Sequence, residues 1–417
     1  MDEITLINPL DMHLHLRQDS MLNAVLPYTA LPFSAALAMP NLNPPLFNID
    51  SVIDYQNEIL DLSDSYFKSK TWNLNGENGL KTTISITKDN KKLQNIESKN
   101  SQGNSPLDSN EYLRQNSPAN FQHKKDSKHP LNTDSKNKKI TPFTPLMSLY
   151  ISDNLDSKTL IEAKKNGIKI LKLYPKGSTT NSKDGLSEIL SQKFLKLLES
   201  AEKLSLILSI HGESNGFSLN REKEFLKIFT HLARTFPRLK IIIEHLSDRR
   251  SIEAVGSYAN LYGTITLHHM LLTLDDVIGG KLNAFNFCKP VVKTALDRDA
   301  ILKTALSGSE KFSFGSDSAP HTISAKLAGA AGIFSAPTLL QGLCTLFAKH
   351  NRLENLQKFI SDNAMKIYDI NLPFKKSVKM VAKPCTFGDS IPCDSEKIAV
   401  FLGEKSLNFS IENISVE

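Results

Sequence analysis

With 417 residues and 40% hydrophobic content, the chain can bury one large core or two small ones, and no apolar run reaches the roughly 18 residues of a membrane-spanning helix. Its net charge of +6 is local: between Asp64 and Ile140, 14 Lys and Arg face 8 Asp and Glu, an excess equal to that of the whole chain, so the remainder offers nucleic acid no basic footprint. Cys288, Cys344, Cys385 and Cys393 form no Cys-x-x-Cys pair and Met1 to Leu10 lacks a basic stretch followed by an apolar one, so the expectation is a cytoplasmic protein with buried free thiols, no zinc ribbon and no membrane span.

In chain order, the first apolar runs are Met12 to Leu16 and Ala35 to Met39, and both read as strands. From about Asp64 to Lys139 the composition shifts to Asn, Ser and Lys with little periodic hydrophobicity. Such a segment cannot bury enough apolar surface to offset its ordering entropy, so residues 64–139 are expected to form a low-complexity, largely disordered insertion. Trp72 and the run Thr82 to Ile86 could tack part of it onto the surface; a positively charged interaction arm is its functional alternative. Strand patterns resume at Leu146 to Ile151, Ile168 to Tyr174, Leu204 to Ile210, Lys240 to Glu244, Leu261 to Leu267 and Lys311 to Phe314. Helical spacing fills most intervals, as in Leu186 to Leu204 and Asn220 to Phe236. Eight strands alternating with helices predict a single α/β domain over residues 1–417, a (β/α)8 TIM barrel with the insertion between its second and third strands. Past Asn363 the alternation fades, and Lys376 to Glu417 is expected to pack on the barrel as a short C-terminal extension.

Chemistry-bearing residues cluster where these strands end. His13 and His15 alternate with Met12, Leu14 and Leu16, so both imidazoles project to one side of a strand, the interior side in a barrel. Two such residues can grip one metal ion; taken alone they could equally be core histidines with buried partners. His211 follows the strand ending at Ile210, His245 follows Glu244, and Asp317 stands among small residues after Phe314. In a barrel these five positions converge on the upper face. Lys172 lies inside the apolar run Ile168 to Tyr174, where burial and neighbouring cations would favour a neutral amine able to react with carbon dioxide. The resulting carbamate would bridge two divalent ions, whereas the plainer alternative is a lysine snorkelling to solvent.

These residues lie in motifs that resemble the amidohydrolase superfamily, and within it the dihydroorotase family of compact bacterial type. The resemblance rests on Asp-Met-His-Leu-His-Leu-Arg at 11–17, Met-Pro-Asn-Leu at 39–42, Lys-Leu-Tyr-Pro at 172–175, His-Gly-Glu at 211–213, Glu-His at 244–245 and the run Gly315 to His321. It covers Asp11 to about Tyr368 outside the insertion. It implies two zinc ions per subunit, one on His13, His15 and Asp317, the other on His211 and His245, bridged by Lys172 as N6-carboxylysine formed with carbon dioxide or bicarbonate. It also implies that Arg17, Asn41 and His321 hold the substrate carboxylate, that His15, His211, Ala331 and, through its backbone, Met270 border the substrate, and that Thr179 and Thr180 lie on a mobile loop that closes over it. A hydroxide shared by the ions would attack the ring amide while Asp317 serves as acid and base. The implied reaction is the reversible cyclisation of N-carbamoyl-L-aspartate to L-dihydroorotate in pyrimidine biosynthesis, by a homodimer with a small-molecule substrate and no nucleic-acid partner.

The insertion departs from the family pattern, and the short segment Thr322 to Ala330 lacks the cysteines often found there, which bears on the register at Ala331. Other cyclic-amide hydrolases, such as hydantoinases, would share the metal ligands, so the substrate choice rests on Arg17, Asn41 and His321. A catalytically silent relative would be expected to have lost ligands, and none is missing.

Overall fold

In the computed structural model, residues 2–87 and 141–417 are described. Eight parallel strands form the central sheet: β2 (Leu10–Leu14), β3 (Ala35–Ala38), β6 (Thr144–Tyr150), β7 (Ile170–Leu173), β8 (Ile207–Ile210), β9 (Lys240–Ile243), β10 (Leu261–Ile265) and β11 (Phe312–Phe314), neighbours in that order. Every residue of β2, β3, β7, β8 and β11 is buried, as expected for parallel strands covered on both faces. A parallel bridge between Leu14 and Ser318 joins the two ends of the sheet, with Asp317 N donating to His13 O at 2.7 Å and His15 N to Ser318 O at 2.9 Å. All eight expected strands are therefore present, and they make a (β/α)8 barrel.

Strand β2 carries one extra residue relative to β3, because Asp11 pairs with Ala36 while Leu14 pairs with Ala38. Below this bulge, Leu10 and Met12 pack with Ala35, Leu37, Ile170, Ile207 and Ile242 in an apolar plug inside the barrel, sealed by Ile367 and Tyr368. Above it, Leu14 packs outward in the main core with Ala38. The bulge thus flips the strand's parity, and His13 and His15 take over the inward side.

The helix expected at Leu186 to Leu204 begins only at Gln192, where Ser191 caps it by accepting from Phe194 N. Leu186 is drawn off by backbone pairing instead: its N–H meets Tyr174 O and its carbonyl accepts from Lys176 N, both at 3.0 Å. Leu204 caps that helix, which is why β8 starts at Ile207 and not at 204. The helix expected over Asn220 to Phe236 spans Arg221–Thr235.

The remaining strands build a side sheet in the order β1 (Glu3–Ile7), β12 (Lys376–Val381), β15 (Ser410–Val416), β5 (Thr82–Ile86) and β4 (Thr71–Trp72), with a separate hairpin of β13 (Ser390–Cys393) and β14 (Glu396–Ala399). The C-terminal extension is therefore a sheet that also recruits the start of the chain. It corrects the expectation for residues 64–139 at their beginning. Asp64 to Tyr66 finish the helix Ile49–Tyr66, Trp72 is buried and donates to Tyr66 O, and Asn75 and Thr82 both donate to Ile411 O, at 2.8 and 2.9 Å. The rest of the insertion, residues 88–139, and most of the suggested basic arm lie outside the described residues. All four cysteines are buried and free, and among the described residues no helix is long and apolar enough to cross a membrane.

Candidate metal centre

Above the apolar plug, the strand-end residues close on one another. His13 Nε2 and His15 Nε2 lie 3.5 and 3.2 Å from the same atom, Asp317 Oδ1. Across the ring His211 Nδ1 faces His245 Nε2 at 3.0 Å. Lys172 Nζ is buried with no hydrogen-bond partner, 5.1 Å from the centroid of the Tyr174 ring. His245 and Asp317 adopt φ of 39° and 46°, and Arg17 adopts 60°, left-handed conformations that non-glycine residues hold only when their surroundings impose them.

Two buried carboxylates set the imidazole tautomers. Glu244 accepts from His13 Nδ1 at 2.8 Å, Ser209 Oγ at 2.5 Å and Thr264 Oγ1 at 2.6 Å. The proton of His13 is therefore on Nδ1, and its Nε2 lone pair points toward Asp317. Glu213 accepts from His211 Nε2 at 2.9 Å, leaving the Nδ1 lone pair for the side facing His245. Burial by itself would raise Glu244, but the charge of Lys172 and the bond from His13 overcome it and hold the carboxyl down to about 2. Glu213 also stays below its usual range despite burial, through its contact with His211 and the nearby Lys293 and Arg221.

Burial keeps His13, His15 and His245 neutral. It brings His13 down to about 4, reinforced by Lys172, and holds His15 and His245 well below their ordinary values, with Arg17 and His211 respectively adding to the effect. The Lys172 ammonium falls to about 8 through burial, against the pull of Glu244 and Asp317. Burial raises Asp317, opposed by His13, making it a better proton acceptor than a free carboxylate. Imidazole nitrogens and a buried carboxylate converging on two points form a donor set of the kind that holds divalent metal ions. A second donor group, His268, His269 and Cys288, lies nearby, but both nitrogens of His269 are engaged, with Thr266 Oγ1 and Pro290 O.

The pocket mouth is lined on one side by Arg17, Asn41 and Ala331. Arg17 Nη2 lies 3.1 Å from His321 Nε2, while its Nε donates to Pro320 O. Burial and then Arg17 push His321 down to about 3, so it is neutral, with Nε2 3.0 Å from the Ala331 carbonyl. Thr179 and Thr180 also line the pocket, and their loop is folded down: Asn41 Nδ2 donates to Thr180 O at 2.9 Å and Asn181 Nδ2 donates to Asn41 O at 3.0 Å. What remains is a cavity of about 20 Å³.

His321 lines the adjoining cavity and meets this pocket through Arg17, and Met270, expected to touch substrate through its backbone, is not among the lining residues. Met270 sits on the helix Leu267–Leu271 with its side chain in the main core, and the loop residue Lys289 lines the pocket. Sequence reasoning also passed over Glu213, Glu244 and Tyr174, whose hydroxyl donates to Asn41 Oδ1 at 3.1 Å. The two glutamates had a usable signal, an acid within two residues of a strand-end histidine. Lys289 had none, since its place depends on the path of a long loop.

No protein-family model matches the chain. A curated dihydroorotase of Helicobacter pylori (strain G27) is 42% identical over 416 residues, covering 99% of this chain and 100% of its own length. Among solved structures, a dihydroorotase from Campylobacter jejuni superposes with a TM-score of 0.76 at 36% identity, covering 99% of this chain and 98% of that one. A dihydroorotase from Saccharomyces cerevisiae, in complex with 5-fluoroorotic acid, gives a TM-score of 0.76 at 27% identity over 99% of both chains.

Proposed function

The chain belongs to the dihydroorotase family, zinc-dependent hydrolases of the amidohydrolase superfamily that interconvert N-carbamoyl-L-aspartate and L-dihydroorotate in pyrimidine biosynthesis, and from that premise we propose how its residues divide the work. The observation that carries the reading is Lys172 Nζ, buried without a hydrogen-bond partner and close enough to His13, His15 and His245 for its charge to be felt at each. An unpaired ammonium there is costly, whereas the neutral amine can add carbon dioxide, releasing one proton and becoming a carbamate with two oxygens to share. In this reading two zinc ions would be held by His13, His15 and Asp317 on one side and by His211 and His245 on the other, with Lys172, as an N6-carboxylysine, a ligand that both would share. When bound, the ions would lower the pKa of a shared water toward neutrality and polarise the ring carbonyl.

The protein's own groups do the rest. Arg17, with neutral His321 beside it, takes the substrate carboxylate, and Asn41 adds an amide donor. Asp317, its basicity raised by burial, accepts the proton of the attacking water and delivers it to the departing ring nitrogen. In the biosynthetic direction it removes a proton from the ureido nitrogen and returns it to the leaving oxygen. The loop bearing Thr179 and Thr180 shuts solvent out, and Asn41 exchanges the Thr180 carbonyl for substrate as the loop moves.

We further infer one catalytic domain over residues 1–417, acting as a cytoplasmic homodimer without a nucleic-acid partner. The shared sheet of β1, β12 and β15 supports the single domain. Exposed Ile278, Leu282, Phe285 and Leu327, on segments that pack against one another, support a subunit contact. The test of the metal reading is an assay in both directions on L-dihydroorotate and N-carbamoyl-L-aspartate, with Lys172→Ala beside the wild type and zinc content measured on both. The variant should lose nearly all activity and bind less zinc; near-normal activity would overturn the bridging role.

A further inference from the structure

We propose that Lys326 is a positioning residue for the carboxylate-binding end of the pocket: its ammonium pins the loops of Ala331 and Lys289 against His321. The inference rests on the assignment of Arg17 and His321 to the substrate carboxylate. Lys326 stands on the short helix Ile323–Leu327, beyond the last barrel strand, and only 3% of its surface is exposed. Its Nζ donates to Phe287 O at 2.8 Å, Ala330 O at 3.0 Å and Gly332 O at 2.6 Å. An ammonium has three N–H donors and no acceptor, so every donor is engaged, and a buried cation requires all three carbonyls to stay convergent.

The identity of those carbonyls makes the contact more than an anchor. Ala330 and Gly332 flank Ala331, whose carbonyl lies 3.0 Å from His321 Nε2, so the ammonium fixes the peptide that orients that imidazole. Phe287 O also accepts from Gly332 N at 3.0 Å and lies two residues before Lys289, which lines the pocket. Gly332, with φ of +147°, lets this loop lie flat on the ring: a Cβ there would sit 2.9 Å from His321 Cδ2 and 2.8 Å from the Ala319 Cβ. Two loops far apart in sequence thus meet at one Nζ, next to the residues that recognise the substrate carboxylate. The Lys326 charge also helps to keep His321 neutral, after burial and Arg17.

Lys326→Met keeps the apolar stem and removes the donors. With the donors gone, KM for L-dihydroorotate should rise about tenfold or more, the loss typical of one displaced charged contact, while kcat changes by less than about threefold and zinc content is unchanged. Lys326→Gln, which retains two N–H donors, should fall between. A purely structural anchor would lower the amount of folded enzyme without this split between KM and kcat. Arg17→Met, run alongside, tests the premise separately: if it leaves KM unaltered, the carboxylate assignment fails. If Arg17→Met raises KM but the Lys326 variants leave it within about twofold, or lower only kcat, the role of Lys326 is overturned. Should the Met variant not fold, the Gln variant decides on the same criterion; failure of both to fold would make Lys326 a stability residue and also overturn the proposal.

Discussion

Glu244→Gln in the metal-free, uncarboxylated protein removes one charge with almost no change of shape. The Gln carbonyl can take the place of Oε2 and keep the bonds from His13 Nδ1 and Thr264 Oγ1, while its NH2 meets the Ser209 hydroxyl, which can turn to accept. What disappears is the attraction between the carboxylate and the Lys172 ammonium, the main influence opposing the burial of Glu244. The fall of the carboxyl from 4.5 to about 2 corresponds, at about 1.4 kcal/mol per pH unit, to about 3 kcal/mol of folding stability. Because the folded value is depressed, that contribution is fully present above the unfolded value of 4.5 and is lost as pH falls through 4.5 toward 2. Denaturant unfolding of chelator-treated wild type and variant, at pH 7 and at steps below 4.5, reads both numbers. The wild type should be more stable by about 3 kcal/mol at pH 7, with the gap narrowing as the acid carboxyl titrates. Equal stabilities at pH 7, or a gap that does not narrow below pH 4.5, would refute the reasoning.

Glu213→Gln should weaken zinc binding about 10- to 100-fold while leaving one zinc per subunit tightly held, because only His211 loses the carboxylate that fixes its tautomer; titration with a competing chelator separates the two affinities, and uniform weakening of both would count against the division of ligands. Met270→Leu should leave KM and kcat unchanged and cost less than about 1.5 kcal/mol in stability, since the side chain fills the core and does not line the pocket. A marked rise in KM without loss of stability would show that the Met270 side chain itself, and not only its backbone, reaches the substrate.

The place of the candidate residues at the strand ends was legible because barrel strands open onto one face. A histidine directly past an apolar strand of a barrel has little choice but the upper face, which accounts for His211; His245 stands two residues past Ile243 and takes a left-handed φ of 39° there. The pair His13 and His15 was read correctly as facing inward, but for a simpler reason than the true one: without the extra residue in β2, the inward side would continue through Leu10 and Met12 to Leu14. No local pattern announces that residue, because it shows only against the register of β3. The side sheet was hidden for a similar reason. Thr82 to Ile86 is too short to be read as a strand by itself, and its partner β15 lies more than three hundred residues later. Lys289 was not foreseen because the loop that brings it to the pocket is placed by long-range packing and carries no local signature.

The bulge in β2 also marks where the molecule can and cannot tolerate a change of length. Between β3 and β6 the chain carries more than a hundred residues while the two strands still pair from Ala35 with Thr144 to Ala38 with Met147. Between Asp11 and Leu14, by contrast, one peptide unit decides whether the ring's polar mouth receives two imidazoles or two leucines. The dry floor and the histidine-lined chamber above it are parts of one continuous ribbon, separated by a half-turn in which way its side chains face. Chain length is therefore nearly free on the rim of this barrel and quantised in its wall.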